Sequence, residues 1–118
     1  MLLSFQDAGL AQIVNDHLSI MRVWPLAVVE VMMIMKLLQL AAPTLVNALG
    51  LGIKITPPRV EGPDGLISVA YGSVVIMALA KGEFGEAVSR PYDKPAEVWA
   101  LEVADMIVDG QSGLGMAA

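Results

Sequence analysis

The sequence predicts a small, mainly α-helical domain over residues 1–118. Apolar side chains recur at helical spacing in the first part of the chain, and a long apolar segment follows. A chain of 118 residues is also long enough to bury one hydrophobic core. Four helices are expected, over residues 5–23, 26–49 with a break at Pro43, 66–81 and 95–109. The alternative is an α+β fold with a β-hairpin over residues 66–80.

The first predicted helix starts near Ser4, because Ser4 and Asp7 have the spacing of a helix-capping pair. Apolar residues then recur every three or four positions, and polar residues fill most of the others. This pattern is typical of an amphipathic helix. The helix should end or kink at Trp24, since a residue that precedes a proline is disfavoured in the helical conformation.

The second predicted helix is apolar on nearly all sides. Residues 26–42 contain three strongly polar residues, Glu30, Lys36 and Gln39, and these do not form one polar face. Such a helix is either a central core helix or a membrane span. Residues 26–45 could cross a bilayer, but Glu30 and Lys36 would cost up to about 5 to 7 kcal/mol, against a gain of about 3 to 5 kcal/mol from aliphatic residues. A membrane span is therefore not favoured.

Two segments lack helical periodicity, one inside the domain and one at its C-terminal end. Residues 53–65 form a Pro/Gly-rich loop inside the single domain, with an extended stretch at Pro57-Pro58. Residues 111–118 form a C-terminal tail.

Residues 66–81 are compatible with two structures. As a helix, the segment could be capped by Ser68 and stopped by Gly82. As a hairpin, Gly72-Ser73 would form a two-residue type II′ turn between strands rich in β-branched residues. The helix is preferred.

The last predicted helix starts at Pro95 and is closed by Gly110. Glu102, Asp105 and Asp109 would share one solvated face, and apolar residues would cover the rest. Because this apolar arc is wider than one contact requires, the helix is expected to pack on two sides.

Charge and composition exclude several functional classes. Residues 61–118 carry nine acidic and three basic residues, so binding to nucleic acid phosphates is disfavoured. Cysteine is absent and His17 is the single histidine, which excludes a His/Cys metal site. No phosphate loop or nucleophile motif is present, and no cofactor, metal or catalytic residue is predicted. His17 is expected to have a structural role.

The remaining candidate residues are apolar side chains for protein contacts and charges placed in apolar surroundings. Met32, Met33 and Met35 could line a contact surface, because thioether side chains adapt to irregular partners, although methionines more often fill gaps in a core. The buried-charge candidates are Glu30 and Lys36. The full set of interface candidates is Met32, Met33, Met35, Trp24, Trp99 and Ile107.

These properties predict a non-catalytic structural subunit of an obligate protein assembly. Hydrophobic residues make up 56% and charged residues only 16% of the chain, whereas soluble domains average about 25% charged residues. Obligate interfaces resemble a core cut in half, which would account for this composition. A virion or another large particle would suit such a subunit. The alternative is a small helical membrane protein. A cytoplasmic location, or one within a particle, is favoured over the membrane.

Overall fold

The chain folds as an α+β protein, and the prediction of a mainly α-helical fold is wrong. The computed structural model describes residues 1–56 and 62–116. Its elements in chain order are β1 (Leu2–Phe5), α1 (Ala8–Val14), α2 (His17–Val23), α3 (Val28–Leu40), α4 (Val46–Leu49), β2 (Lys54–Thr56), β3 (Leu66–Tyr71), β4 (Val74–Lys81), β5 (Ala100–Val108) and β6 (Gln111–Ser112). The α+β alternative with a hairpin is the architecture that is observed.

Within residues 1–56 and 62–116, six strands form one mixed sheet in the order β1-β5-β4-β3-β2, with β6 paired to β5. β1 runs parallel to β5, and the other pairs are antiparallel. The helices cover one face of the sheet, as β4 illustrates: Val74, Ile76 and Ala78 are fully buried, whereas Val75 and Met77 between them are partly exposed. The core therefore lies between one helical layer and one sheet.

Residues 66–81 form the β3–β4 hairpin rather than a helix. Gly72 has a positive φ of 58°, which suits the first central position of a type II′ turn. β-branched residues on both sides of Gly72-Ser73 fit a pleated surface better than a helix. Ser68, predicted as a helix cap, is instead a buried residue of β3, paired with Met77.

Residues 95–109 also form a strand where a helix is predicted. Pro95 starts only a short 3₁₀ turn, Pro95–Glu97, and β5 follows it. A β-bulge leaves Ala104 unpaired between Val103 and Asp105, so Glu102 and Asp105 project from the same face of the strand. Asp109 and Gly110 both have positive φ and connect β5 to β6 as a hairpin turn. The three-residue spacing of the acids thus comes from a bulge, and Gly110 closes a hairpin rather than a helix.

The first predicted helix, over residues 5–23, is divided into two helices, and its first residue, Phe5, instead ends strand β1. Residues 2–5 pair with β5, and α1 begins only after Asp7, whose carboxylate accepts a 2.8 Å hydrogen bond from the Leu10 N–H. Asn15 and Asp16 separate α1 from α2. The apolar periodicity spans both helices because both bury their stripe in the same core.

The predicted break at Pro43 is present, since α3 ends at Leu40 and α4 is a separate short helix. No helix in the described part of the chain is long and apolar enough to cross a membrane. In the predicted 53–65 loop, β2 is formed, and Pro57-Pro58 lies outside the described residues. The predicted tail begins with β6, and its residues 117–118 are outside the described range.

Candidate functional site

Two consecutive helices, α2 and α3, expose large apolar side chains to solvent. We define the α2–α3 face by the exposed residues Leu18, Met21, Leu26, Val29 and Met32. Leu26 is 96% exposed, Val29 73% and Leu18 72%. Single exposed apolar residues are ordinary, but a group of them on adjoining elements marks a candidate contact surface.

The sequence of α3 explains why this surface is apolar. Val31, Ile34, Met35 and Leu38 are buried and recur at positions i, i+3, i+4 and i+7, which is the stripe that packs on the core. The opposite side of an ordinary surface helix would be polar. Here that side begins with two further apolar residues, Val29 and Met32, before Lys36 is reached. The helix consequently presents apolar surface in two directions.

An open groove of about 480 Å³ runs along α3 beside the end of α1. On the α3 side it extends from Val29 to Gln39, which corresponds to about 15 Å of helix length. We call it the methionine groove, and it is lined by Val14, Asn15, Val29, Met32, Met33, Met35, Lys36 and Gln39. All three methionines predicted as interface candidates therefore meet at one site.

The three methionines differ in burial. Met35 belongs to the core and touches the groove from below, Met33 is partly exposed, and Met32 is exposed. Met32 also contacts the neighbouring helix, because its Sδ lies 3.1 Å from Nδ1 of His17. His17 is exposed at the first position of α2. The N-terminal end of α2 is therefore in contact with the middle of the methionine groove.

Glu30 and Lys36 lie on different sides of α3 and do not form a pair. The carboxylate of Glu30 is partly buried and accepts hydrogen bonds from the hydroxyl and the backbone N–H of Ser73, the latter at 2.7 Å. The hydroxyl bond, followed by the N–H bond, lowers the pKa of Glu30 below its ordinary value of 4.5. Lys36 is exposed and lies at the groove, where it is a charged group beside apolar ones.

The two tryptophans and Ile107 lie away from the methionine groove. Trp24 is buried, and its Nε1–H donates a 3.2 Å hydrogen bond to the carbonyl oxygen of Gln111. A second, smaller cavity of about 230 Å³ adjoins Trp24 and Val108 and shares no lining residue with the methionine groove. Trp99 is partly exposed just before β5, and Ile107 is partly exposed on the sheet face that the helices leave uncovered.

Two side-chain contacts made by α3 have no signal in the sequence. Ser73 reaches Glu30 across 43 residues, and His17 reaches Met32 across 15 residues of chain that includes a helix break. The sequence allows a hairpin turn at Gly72-Ser73 as one of two structures, but nothing in the pattern of residues 66–81 indicates which carboxylate Ser73 binds. Among the residues that the structure describes, no group of three or more His, Asp or Glu side chains is arranged to hold a metal ion.

Comparison of the chain with protein-family models, curated proteins and solved structures finds no match.

Proposed function

We propose that this protein is a non-catalytic structural subunit that assembles with further copies of itself through the α2–α3 face. The observation that carries the proposal is the exposure of Leu18, Leu26 and Val29 on adjoining elements. Full burial of one such aliphatic side chain contributes about 1.5 to 3 kcal/mol. Covering the face in an assembly would therefore be strongly favourable.

The methionine groove is a concave surface next to the α2–α3 face, and side chains of a second copy could pack into it. Methionine side chains are unbranched and flexible, so Met32 and Met33 can adjust to the side chains of a partner. Fully buried centres of interfaces are enriched in methionine and depleted in charge. The single charged residue that lines the groove within the described chain, Lys36, can keep its amine in water while its aliphatic stem packs.

Charge distribution favours a second copy of the chain as the occupant. The whole chain carries a net charge of −5, so most surfaces of two copies repel each other. Residues 1–60, which contain α2 and α3, carry four basic and three acidic residues, whereas the acidic excess lies in residues 61–118. Two copies can thus meet through α2 and α3 with the least repulsion.

The exposed side of α3 also suits a two-fold contact. On the side of α3 that faces away from the core, Met32 and Met33 lie near the middle. Val29 lies about one turn before them and Lys36 about one turn after. In an antiparallel arrangement, the methionines of two copies would meet and each Lys36 stem would lie beside Val29 of the partner subunit. This arrangement is self-complementary, as a two-fold interface requires.

The test is the oligomeric state of the purified full chain, measured by light scattering after size-exclusion chromatography. We expect a discrete multimer for the unmodified chain and dissociation for Val29→Lys and for Met33→Lys. Val29 is 73% exposed, so its substitution should leave the fold intact, which circular dichroism would check. Phe84→Lys is the matched control, because Phe84 is 87% exposed but lies in the β4–β5 connection.

The outcomes are distinct. Loss of the multimer in Val29→Lys and in Met33→Lys but not in Phe84→Lys would support the proposal. A monomeric unmodified chain, or a multimer that persists in Val29→Lys and Met33→Lys, would overturn self-assembly through this face.

A further inference from the structure

The contact between His17 and Met32 brings two metal-binding atoms together. Nδ1 of His17 lies 3.1 Å from Sδ of Met32, and both side chains are exposed. In a tetrahedral site with metal–nitrogen and metal–sulfur bonds of about 2.0 and 2.3 Å, the two ligand atoms are roughly 3.5 Å apart. If the distance between Nδ1 and Sδ increased by a few tenths of an ångström, one ion could therefore bind both atoms.

A third ligand of the same chemical type is available on α2. Met21 follows His17 by four residues, so the two side chains occupy the same face of the helix one turn apart. Met21 is exposed, and three rotatable bonds give its thioether a long reach. Two ligands at i and i+4 on one helix, completed by a residue of another element, are a recurrent way to build a metal site.

The chemistry of these ligands selects the metal. One imidazole nitrogen and two thioether sulfurs form a soft, uncharged ligand set, and thioethers prefer Cu(I) to hard cations such as Mg²⁺ or Ca²⁺. We propose that His17, Met21 and Met32 form a binding site for a soft monovalent metal ion of the Cu(I) class. Only binding is proposed, with no change in the oxidation state of the ion.

Met21 and Met32 also belong to the α2–α3 face, but different variants test metal binding and self-assembly. Met32→Leu and Met21→Leu nearly conserve volume and apolar character, so they should preserve packing while removing a sulfur ligand. Val29→Lys disturbs the contact surface but leaves all three proposed ligands in place. The two proposals can consequently fail separately.

The experiment is a titration of the full chain with Ag⁺, a redox-stable monovalent ion with the same ligand preference, followed by calorimetry and by NMR of the methionine methyl groups. We expect one Ag⁺ per chain, with shifts of the Met21 and Met32 methyl signals and of the His17 ring signals. Met32→Leu, Met21→Leu and His17→Gln should each weaken binding by about tenfold or more.

Met77→Leu is the matched control, because Met77 lies on the sheet face that the helices leave uncovered. Binding that stays at the unmodified affinity in Met32→Leu would overturn the proposal, since the contact with His17 would then be a hydrogen bond to sulfur alone. Equal weakening in Met77→Leu, or the absence of a saturable one-to-one site, would overturn it as well.

Discussion

The carboxylate of Glu30 in α3 holds Ser73, the second residue of the β3–β4 turn, by hydrogen bonds to both its hydroxyl and its backbone N–H. Gly72, immediately before it, leaves room for this approach: a Cβ at that position would lie 2.7 Å from Oε2 of Glu30. One side chain thus connects the helical layer to the end of the hairpin.

Replacing Glu30 by Gln should lower the unfolding temperature in a pH-dependent way. The bonds from Ser73 lower the pKa of Glu30 in the folded state, so the charged carboxylate stabilises the fold above the ordinary value of 4.5. This contribution is lost as the pH falls through the lower, folded-state pKa. The difference in melting temperature between the unmodified chain and Glu30→Gln should therefore be largest near neutral pH and shrink below pH 4.5.

Thermal unfolding followed from pH 7 to pH 3 would test this. Glu97→Gln is the control, because Glu97 is an exposed glutamate in the β4–β5 connection. A difference for Glu30→Gln that stays constant over the whole pH range would contradict the assigned role of the charge.

Gly72→Ala should destabilise the protein more than Gly110→Ala. Both glycines have positive φ, 58° and 82°, so alanine costs about 1 to 2 kcal/mol at either position. Only at Gly72 would the added methyl group also collide with Glu30, since nothing lies within 4 Å of a Cβ at Gly110. Denaturant unfolding of both variants measures the excess cost, and equal losses of stability would show that the Glu30 contact is easily displaced.

Gly113→Ala should release the segment after β6 from the helical layer. A Cβ on Gly113 would lie 2.7 Å from the Trp24 ring and 2.8 Å from Leu10 Cδ1. Overpacking of this kind costs about 1 to 3 kcal/mol. The fluorescence of Trp24 should report the change as increased solvent exposure. Trp99→Phe in the same background assigns the signal to Trp24, and an unshifted spectrum together with unchanged stability would refute the close packing.

Deletion of Ala104 should be tolerated. Ala104 is the extra residue of the bulge, and without it Val103 and Asp105 would follow each other opposite Ala78 and Met77 in regular alternation. Deletion of Glu102 gives a chain of the same length but would exchange Val103 for Ala104 on the buried face. We expect the Glu102 deletion to cost about 1 to 3 kcal/mol more in denaturant unfolding. The opposite order of stability would mean that the bulge is required for the fold.

The helical layer is predicted in part, because the helix expected over residues 5–23 merges α1 with α2, and the sheet is missed for identifiable reasons. The apolar character of α3 is visible in the sequence, and with it the three methionines that meet in the groove. In β5, the bulge at Ala104 sets Glu102 and Asp105 three residues apart on one face, which imitates a helix. Asp109-Gly110 can end a helix or turn a hairpin, and only pairing with β6 decides between them. The partner of Glu30 depends on tertiary structure and has no local signal.

The parallel pairing of β1 with β5 has a consequence for how the chain acquires its structure during synthesis. Leu2 pairs with Ala100, so the first strand finds its neighbour in the sheet only after residue 100 has left the ribosome. Contacts between such distant segments form slowly, because a long loop must close before any of them is gained. The β3–β4 hairpin does not depend on such a distant contact, because its two strands are joined by the short turn Gly72-Ser73. The nascent chain should therefore complete its hairpin early, and the edge that β1 occupies is the last part of the sheet to close.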